Sequence, residues 1–278
     1  MTQAYSETVQ TAREYYNSED ADNFYFHVWG GEDIHIGLYE REDEPIGVAS
    51  RRTVERMADH LPPLNANSRI LDIGSGYGGA ARYLAERFGC NVTALNLSEK
   101  ENERNREMSQ AAGLASRITV VDGSFEDIPL EDASVDAVWS QDAILHSGQR
   151  ERVIAEVARV LKPGGHFIFT DPMESGRCSQ GDLEPVLARI HLDTLGSPDF
   201  YKKTAIANGL EFVEWLDKTD QLIRHYSRVR EELLSQRAIL TKGISETYID
   251  RMATGLSNWV TAGQRGCLAW GILHFKKP

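Results

Sequence analysis

His146 follows Asp142 by four residues, and Tyr16 lies in the early stretch Tyr15-Tyr16-Asn17-Ser18. On a helix, residues at i and i+4 share a face. An imidazole is a plausible general base near neutrality, so His146 reads as a base, oriented by Asp142 or paired with Tyr16. A solvated helix-surface pair is the competing reading of the same spacing. A second set lies upstream, where Asp72-Ile73-Gly74-Ser75-Gly76-Tyr77-Gly78-Gly79 follows a short apolar run. Glycines at such a turn let the backbone take positive φ and let a ligand approach the main chain. The spacing departs from the dinucleotide fingerprint G-x-G-x-x-G. Further on, Leu95-Asn96-Leu97-Ser98 ends at the place where open α/β sheets hold a ribose, with an amide where an acid is usual. Asp122-Gly123-Ser124-Phe125 offers an acceptor for an exocyclic amine beside a ring that can stack on a base.

These residues need a frame that brings them to one edge. Short apolar runs at 69–73, 91–97, 118–121, 135–140, 166–170, 210–215 and 268–275 read as seven strands. Helical stretches separate the first five of them, at 80–88, 99–112 and 150–161. This alternation implies βαβ units with right-handed connections and a doubly wound, mainly parallel seven-stranded α/β sheet. The final strand is expected at one end of the sheet, antiparallel to the rest. Residues 1–65 read as an N-terminal helical cap that contributes to an acceptor site, and 66–171 as the nucleoside-binding core. Residues 172–278 read as a helical substrate lid, built around 183–192, that also completes the sheet.

Across 278 residues, 30 Lys and Arg face 42 Asp and Glu, a net charge of −12. A field of that sign repels phosphodiester backbones, so nucleic acid is not expected as a partner. The acidity serves solubility, or suits a salt-rich cytoplasm in which carboxylate repulsion is screened. Cys90, Cys178 and Cys267 are odd in number and far apart, so no disulfide framework is expected and the compartment reads as reducing. The eight histidines show no metal-binding spacing, so no metal is expected. No apolar run is long enough for a membrane span, and residues 1–13 carry no secretion signal, so the expected location is the cytoplasm. The oligomeric state is not written in the sequence.

The Asp-x-Gly-x-Gly-x-Gly turn, the Asp-Gly-Ser-Phe turn and Leu161-Lys162-Pro163-Gly164-Gly165, in this order, resemble class I S-adenosylmethionine methyltransferases over about residues 70 to 175. The resemblance implies S-adenosylmethionine as cofactor, with Asp72, Gly74, Ser75 and Gly76 at its methionine portion. It implies Asn96 and Leu97 at the ribose, Asp122, Ser124 and Phe125 at the adenine, and Gln141 at the sulfonium side. Outside that core, three stretches are similar to the sarcosine/dimethylglycine N-methyltransferases that make glycine betaine. They are Tyr15 to Ser18, Phe24 to Gly37, and Trp139 to Ser147. Leu187 to Leu192, His225-Tyr226-Ser227 and Ala269-Trp270-Gly271 add to this similarity, which runs over nearly the whole chain. A more distant likeness is to phosphoethanolamine N-methyltransferases, which pair a tyrosine from the N-terminal segment with a histidine.

The resemblance implies a small amino-acid amine as substrate, methylated to a quaternary ammonium. Tyr16, Tyr25 and Trp29 would attract such a cation through their ring faces, at about 0.5–2 kcal/mol each, or would serve as core. A carboxylate on the substrate calls for a bidentate cation. Arg189 is the candidate, with His191, Tyr201 and Arg265 as helpers; a solvated helix charge is the other reading of Arg189. The alternatives are an N-methyltransferase acting on phosphoethanolamine or another small amine, and a non-catalytic S-adenosylmethionine-binding regulatory module.

Overall fold

A computed structural model of the chain describes residues 5, 7–190 and 192–278. The elements run in order as α1 (Glu7–Tyr16), α2 (Glu19–Phe24), a π-helical turn (Tyr25–Trp29) and α3 (Ile46–Asp59). Then come β1 (Arg69–Ile73), α4 (Gly79–Phe88), β2 (Asn91–Asn96), α5 (Glu99–Ala111), β3 (Ile118–Asp122) and β4 (Val135–Gln141). A 3₁₀ turn (Ile144–His146) leads to α6 (Arg150–Val160), β5 (Leu161–Thr170), β6 (Met173–Glu174), α7 (Gln180–Ile190) and α8 (Pro198–Ala207). The chain continues through β7 (Glu211–Asp217), α9 (Thr219–Ser235), α10 (Arg237–Leu240), α11 (Glu246–Gln264), β8 (Leu268–Ala269) and β9 (Gly271–Lys276).

The seven-stranded sheet has the order β3-β2-β1-β4-β5-β9-β7. Its first five strands are parallel, as the alternating pattern predicts. β9 is antiparallel but not terminal: it lies between β5 and β7 and pairs with both. Strand periodicity reports which faces are covered, and β9 is buried on both; it carries no information about neighbours, so the expected end position is corrected here. The central strands read as apolar runs because helices cover both faces. On one face Val54, Met57 and Leu84 pack over Ile70 and Trp139. On the other, Val153, Ile154 and Val157 pack over Val138, Phe167 and Phe169. A third cluster, with Trp29, Tyr226, Met252 and Trp259, joins the N-terminal segment to α9 and α11. Each such side chain contributes about 1.5–3 kcal/mol on burial.

The N-terminal segment is fastened to the sheet by charge as well as by apolar contact. Arg104 of α5 makes a two-pronged pair with Asp22 of α2, at 2.7 and 2.6 Å, and the Tyr77 hydroxyl donates to the same carboxylate at 2.9 Å. That holds the segment over the glycine turn containing Tyr77. On the far side, Cys178 and Cys267 are joined in a disulfide across 89 residues, which ties the start of α7 to the approach to β8. This corrects the expectation of unbridged cysteines and removes the ground for reading the compartment as reducing: the pairing is tertiary, and no local spacing marks it. Among the described residues no helix is long and apolar enough to cross a membrane.

Three histidines line up across the sheet end opposite the glycine turn. His166 Nδ1 and His274 Nε2 share a hydrogen bond at 2.8 Å, and His60 Nδ1 lies 2.6 Å from Glu214 Oε1, which is 3.6 Å from His274 Nδ1. Burial, then the neighbouring His166, pushes His274 down to about 4. A histidine that resists protonation in the fold leaves stability intact above its unfolded pKa of about 6.5 and loses it as pH falls from there toward about 4. The expected result is a loss on the order of 2 kcal/mol across that window. Thermal melts at pH 7 and pH 5 would measure it, and His274→Gln should flatten the decline.

Candidate active site

The turn after β1 opens a cavity at the carboxyl ends of the parallel strands, the place where open α/β sheets hold their ligands. The N–H of Gly74 donates to Leu95 O at 2.8 Å, which docks the turn against β2. Gly74 has φ +73°, and a Cβ there would meet the Ala143 Cβ at 2.3 Å, so the position admits glycine alone. Gly74, Ser75 and Gly76 line one wall with Asp72. Asp72 is buried, and burial followed by the charge of Asp33 pushes it up to about 8.

Asn96 and Leu97 line the cavity at the tip of β2. The Asn96 amide donates to Glu101 Oε2 at 2.9 Å, and Glu101, in the first turn of α5, lines the cavity too. Burial pushes Glu101 up to about 7. The acid usual at the strand tip is thus supplied from the following helix and held by the amide. Sequence reading missed Glu101 because its neighbours Glu99, Lys100 and Glu103 make the stretch look like a solvated helix face. Ser124 and Phe125 reach the same cavity. Asp122 does not: it is half exposed, accepts from Asn102 Nδ2 at 2.8 Å, and pairs with Arg106 at 2.6 Å.

The base candidates meet here. Tyr16 Oη and His146 Nε2 share a hydrogen bond at 2.8 Å, with the rings edge to face at 5.3 Å, and both line the cavity. The i, i+4 spacing of Asp142 and His146 does not lie on an α-helix, since only a 3₁₀ turn spans Ile144–His146. Asp142 has φ +51°, and its carboxylate accepts from Trp270 Nε1 and from the Ile36 N–H, each at 2.7 Å. It braces the cavity wall, and of the two readings for His146 the geometry favours pairing with Tyr16. Gln141 also faces the cavity, with Oε1 accepting from Trp139 Nε1 at 2.9 Å and Nε2 left without a protein partner.

Tyr25 lines the cavity beside Tyr16, ring centroids 5.5 Å apart. Trp29 stands behind it, centroid to centroid 5.2 Å, and its indole N–H donates to His35 O. Two of the anion-binding candidates lie elsewhere. Tyr201 is fully buried, donating to Asp171 Oδ2 at 2.6 Å, and Arg265 is exposed and paired with Asp182 at 2.5 Å. The side chain of Arg189 and the whole of His191 lie outside the described residues. The lining also includes Asp33 and His35, which sequence reading passed over. Glu32, Asp33, Asp72, Glu101 and Asp142 together make the cavity wall rich in carboxyl groups that can accept hydrogen bonds from a ligand. Among the described residues no group of His, Cys, Asp and Glu is placed to hold a metal ion.

Comparison with known proteins fits this geometry. The model of the methyltransferase domain family matches residues 71–169. The chain is 55% identical, over 98% of its length and 97% of the relative's, to the sarcosine/dimethylglycine N-methyltransferase of Halorhodospira halochloris. It is 57% identical over 97% of its length to the glycine/sarcosine/dimethylglycine N-methyltransferase of Actinopolyspora halophila, and spans 48% of that longer protein. A crystal structure from Galdieria sulphuraria, of a chain assigned as a sarcosine dimethylglycine methyltransferase, superposes with a TM-score of 0.90. That pair is 43% identical, over 95% of this chain and 98% of that one.

Proposed function

The chain belongs to the sarcosine/dimethylglycine N-methyltransferase family, and we propose that it acts as a cytoplasmic enzyme moving methyl groups from S-adenosylmethionine to sarcosine and dimethylglycine, the last steps to glycine betaine. The observation that carries this reading is the Tyr16–His146 hydrogen bond on the wall of a cavity that also holds the glycine turn.

The residues present suit the cofactor. Gly74 leaves room for close approach, Asn96 with Glu101 can accept from ribose hydroxyls, and Ser124 with Phe125 flank the adenine side. Bound there, S-adenosylmethionine would supply a methyl group on a sulfonium, from which the neutral thioether is a good leaving group. What remains for the protein is to position and desolvate the amine and to remove its proton. A protonated amine has no lone pair to attack with. His146, tied to Tyr16 through Nε2, accepts that proton directly or through the phenol. The faces of Tyr16 and Tyr25 favour a methylated ammonium, while Trp29 stiffens Tyr25 from behind. Arg189 stays the proposed partner of the substrate carboxylate. On this reading, residues 1–65 serve as the cap of the acceptor site and 172–278 as its lid, around the core at 66–171.

The test is mass spectrometry of products after incubation with S-adenosylmethionine and a mixture of glycine, sarcosine, dimethylglycine and phosphoethanolamine. Labelled methyl should appear in dimethylglycine and betaine. Label confined to phosphoethanolamine, or to none of the four, would refute the proposal.

A further inference from the structure

Residues 30–37 cross the cavity as a strap without regular structure between the π-helical turn and α3. Its backbone is fixed. Trp29 Nε1 and Ser50 Oγ both donate to His35 O, Thr53 Oγ1 donates to Ile36 O at 2.8 Å, and the Ile36 N–H donates to Asp142. One oxygen of Asp33 is held as well, 2.8 Å from Arg51 Nε. Two other polar atoms of the strap are buried with no protein partner: Asp33 Oδ1 and His35 Nε2, 3.9 Å apart. Both residues line the cavity. Asp72 Oδ2 and Ser75 Oγ, on the glycine turn that lines the same cavity, are in the same condition. Asp33 also sits over the first residue of α4, since a Cβ on Gly79 would fall 2.1 Å from Asp33 Oδ1.

Leaving buried donors and acceptors unpaired is costly, so a fold that keeps these four, and Gln141 Nε2 with them, around one space is built for a ligand that pairs them. The chemistry of the set is mixed. Two carboxyl groups, Asp33 and Asp72, suit a cationic donor, whereas a hydroxyl, and His35 in the tautomer that carries its proton on Nε2, with Nδ1 making only a long 3.4 Å contact to Ile36 O, can donate to an anion. An α-ammonium and an α-carboxylate on one carbon satisfy both demands. We infer that the strap reads the amino-acid end of the cofactor, Asp33 taking its ammonium together with Asp72 and His35 donating to its carboxylate. The inference rests on the S-adenosylmethionine reading above. It makes the N-terminal segment a part of the cofactor site as well as of the acceptor site.

Calorimetric titration of the full chain with S-adenosylhomocysteine and with 5′-methylthioadenosine tests it. The second ligand keeps adenine, ribose and thioether but lacks the amino-acid end. His35→Ala and Asp33→Asn should each weaken S-adenosylhomocysteine by about 10- to 100-fold while methylthioadenosine stays within about twofold. His35→Gln, which restores an N–H donor, should recover part of the loss, and melting curves would show that each variant is folded. Equal weakening of both ligands, the signature of a merely structural strap, would overturn the inference. So would unchanged S-adenosylhomocysteine affinity in His35→Ala, as expected if the imidazole served the acceptor instead. A native chain that binds neither ligand would refute the cofactor reading and, with it, this one.

Discussion

His146→Ala is expected to lower kcat by about 10²- to 10⁴-fold, the range a positioned general base supplies. S-adenosylhomocysteine affinity should stay within about twofold, because the imidazole faces Tyr16 and not the glycine turn. The split between these measurements is the informative part. A structural role for the 3₁₀ turn 144–146 would depress both together. Tyr16→Phe keeps the ring face beside Tyr25 and removes the hydroxyl; it should cost less than the alanine variant if His146 takes the proton directly, and nearly as much if the proton passes through the phenol. Single-turnover measurements with dimethylglycine would separate the two routes.

Gly74→Ala should abolish cofactor binding, weakening S-adenosylhomocysteine by more than about 100-fold. The added methyl would need space that the Ala143 Cβ fills at 2.3 Å, in a backbone conformation with φ +73°. Left-handed strain alone costs on the order of 1–3 kcal/mol. The clash must be relieved by moving either the turn or the segment that leads into His146. Gly164→Ala is the matched control: its φ is +79°, but nothing lies within 4 Å of the new carbon. That variant should lose stability on the order of 1 kcal/mol and bind S-adenosylhomocysteine normally. If both variants bind alike, close approach at the turn is not what makes the site.

How much of this was readable beforehand depends on whether a signal is local. β1 and its glycine turn were legible because a doubly covered strand is an unbroken apolar run and a left-handed turn needs glycine. The Asp142–His146 spacing misled for a physical reason. Two tertiary hydrogen bonds, from Trp270 and Ile36, hold Asp142 at positive φ and override the helical register. Asp122 has the right type at the right turn, yet its carboxylate is taken up by Asn102 and Arg106 and does not line the cavity. Glu101 and Asp33 were invisible for the opposite reason: each sits in a charged stretch, and burial alone sets it apart from its neighbours. Tyr201 looked like a ligand-binding phenol and is a buried partner of Asp171. The bridge from Cys178 to Cys267 closes across 89 residues and leaves no trace in either neighbourhood.

The placement of β9 between β5 and β7 has a consequence for how the chain comes to be. Within the seven-stranded sheet, β2, β3, β4 and β5 can each dock as they leave the ribosome, beside a strand already made. β7 cannot, because its neighbour in the sheet is synthesised after it, with α9 and α11 in between. Until that later segment slides in, β5 presents a bare row of amides and carbonyls, a template for mispairing with another nascent chain. Closure of the sheet therefore waits for the last strand of the chain, and until then the edge of β5 is open.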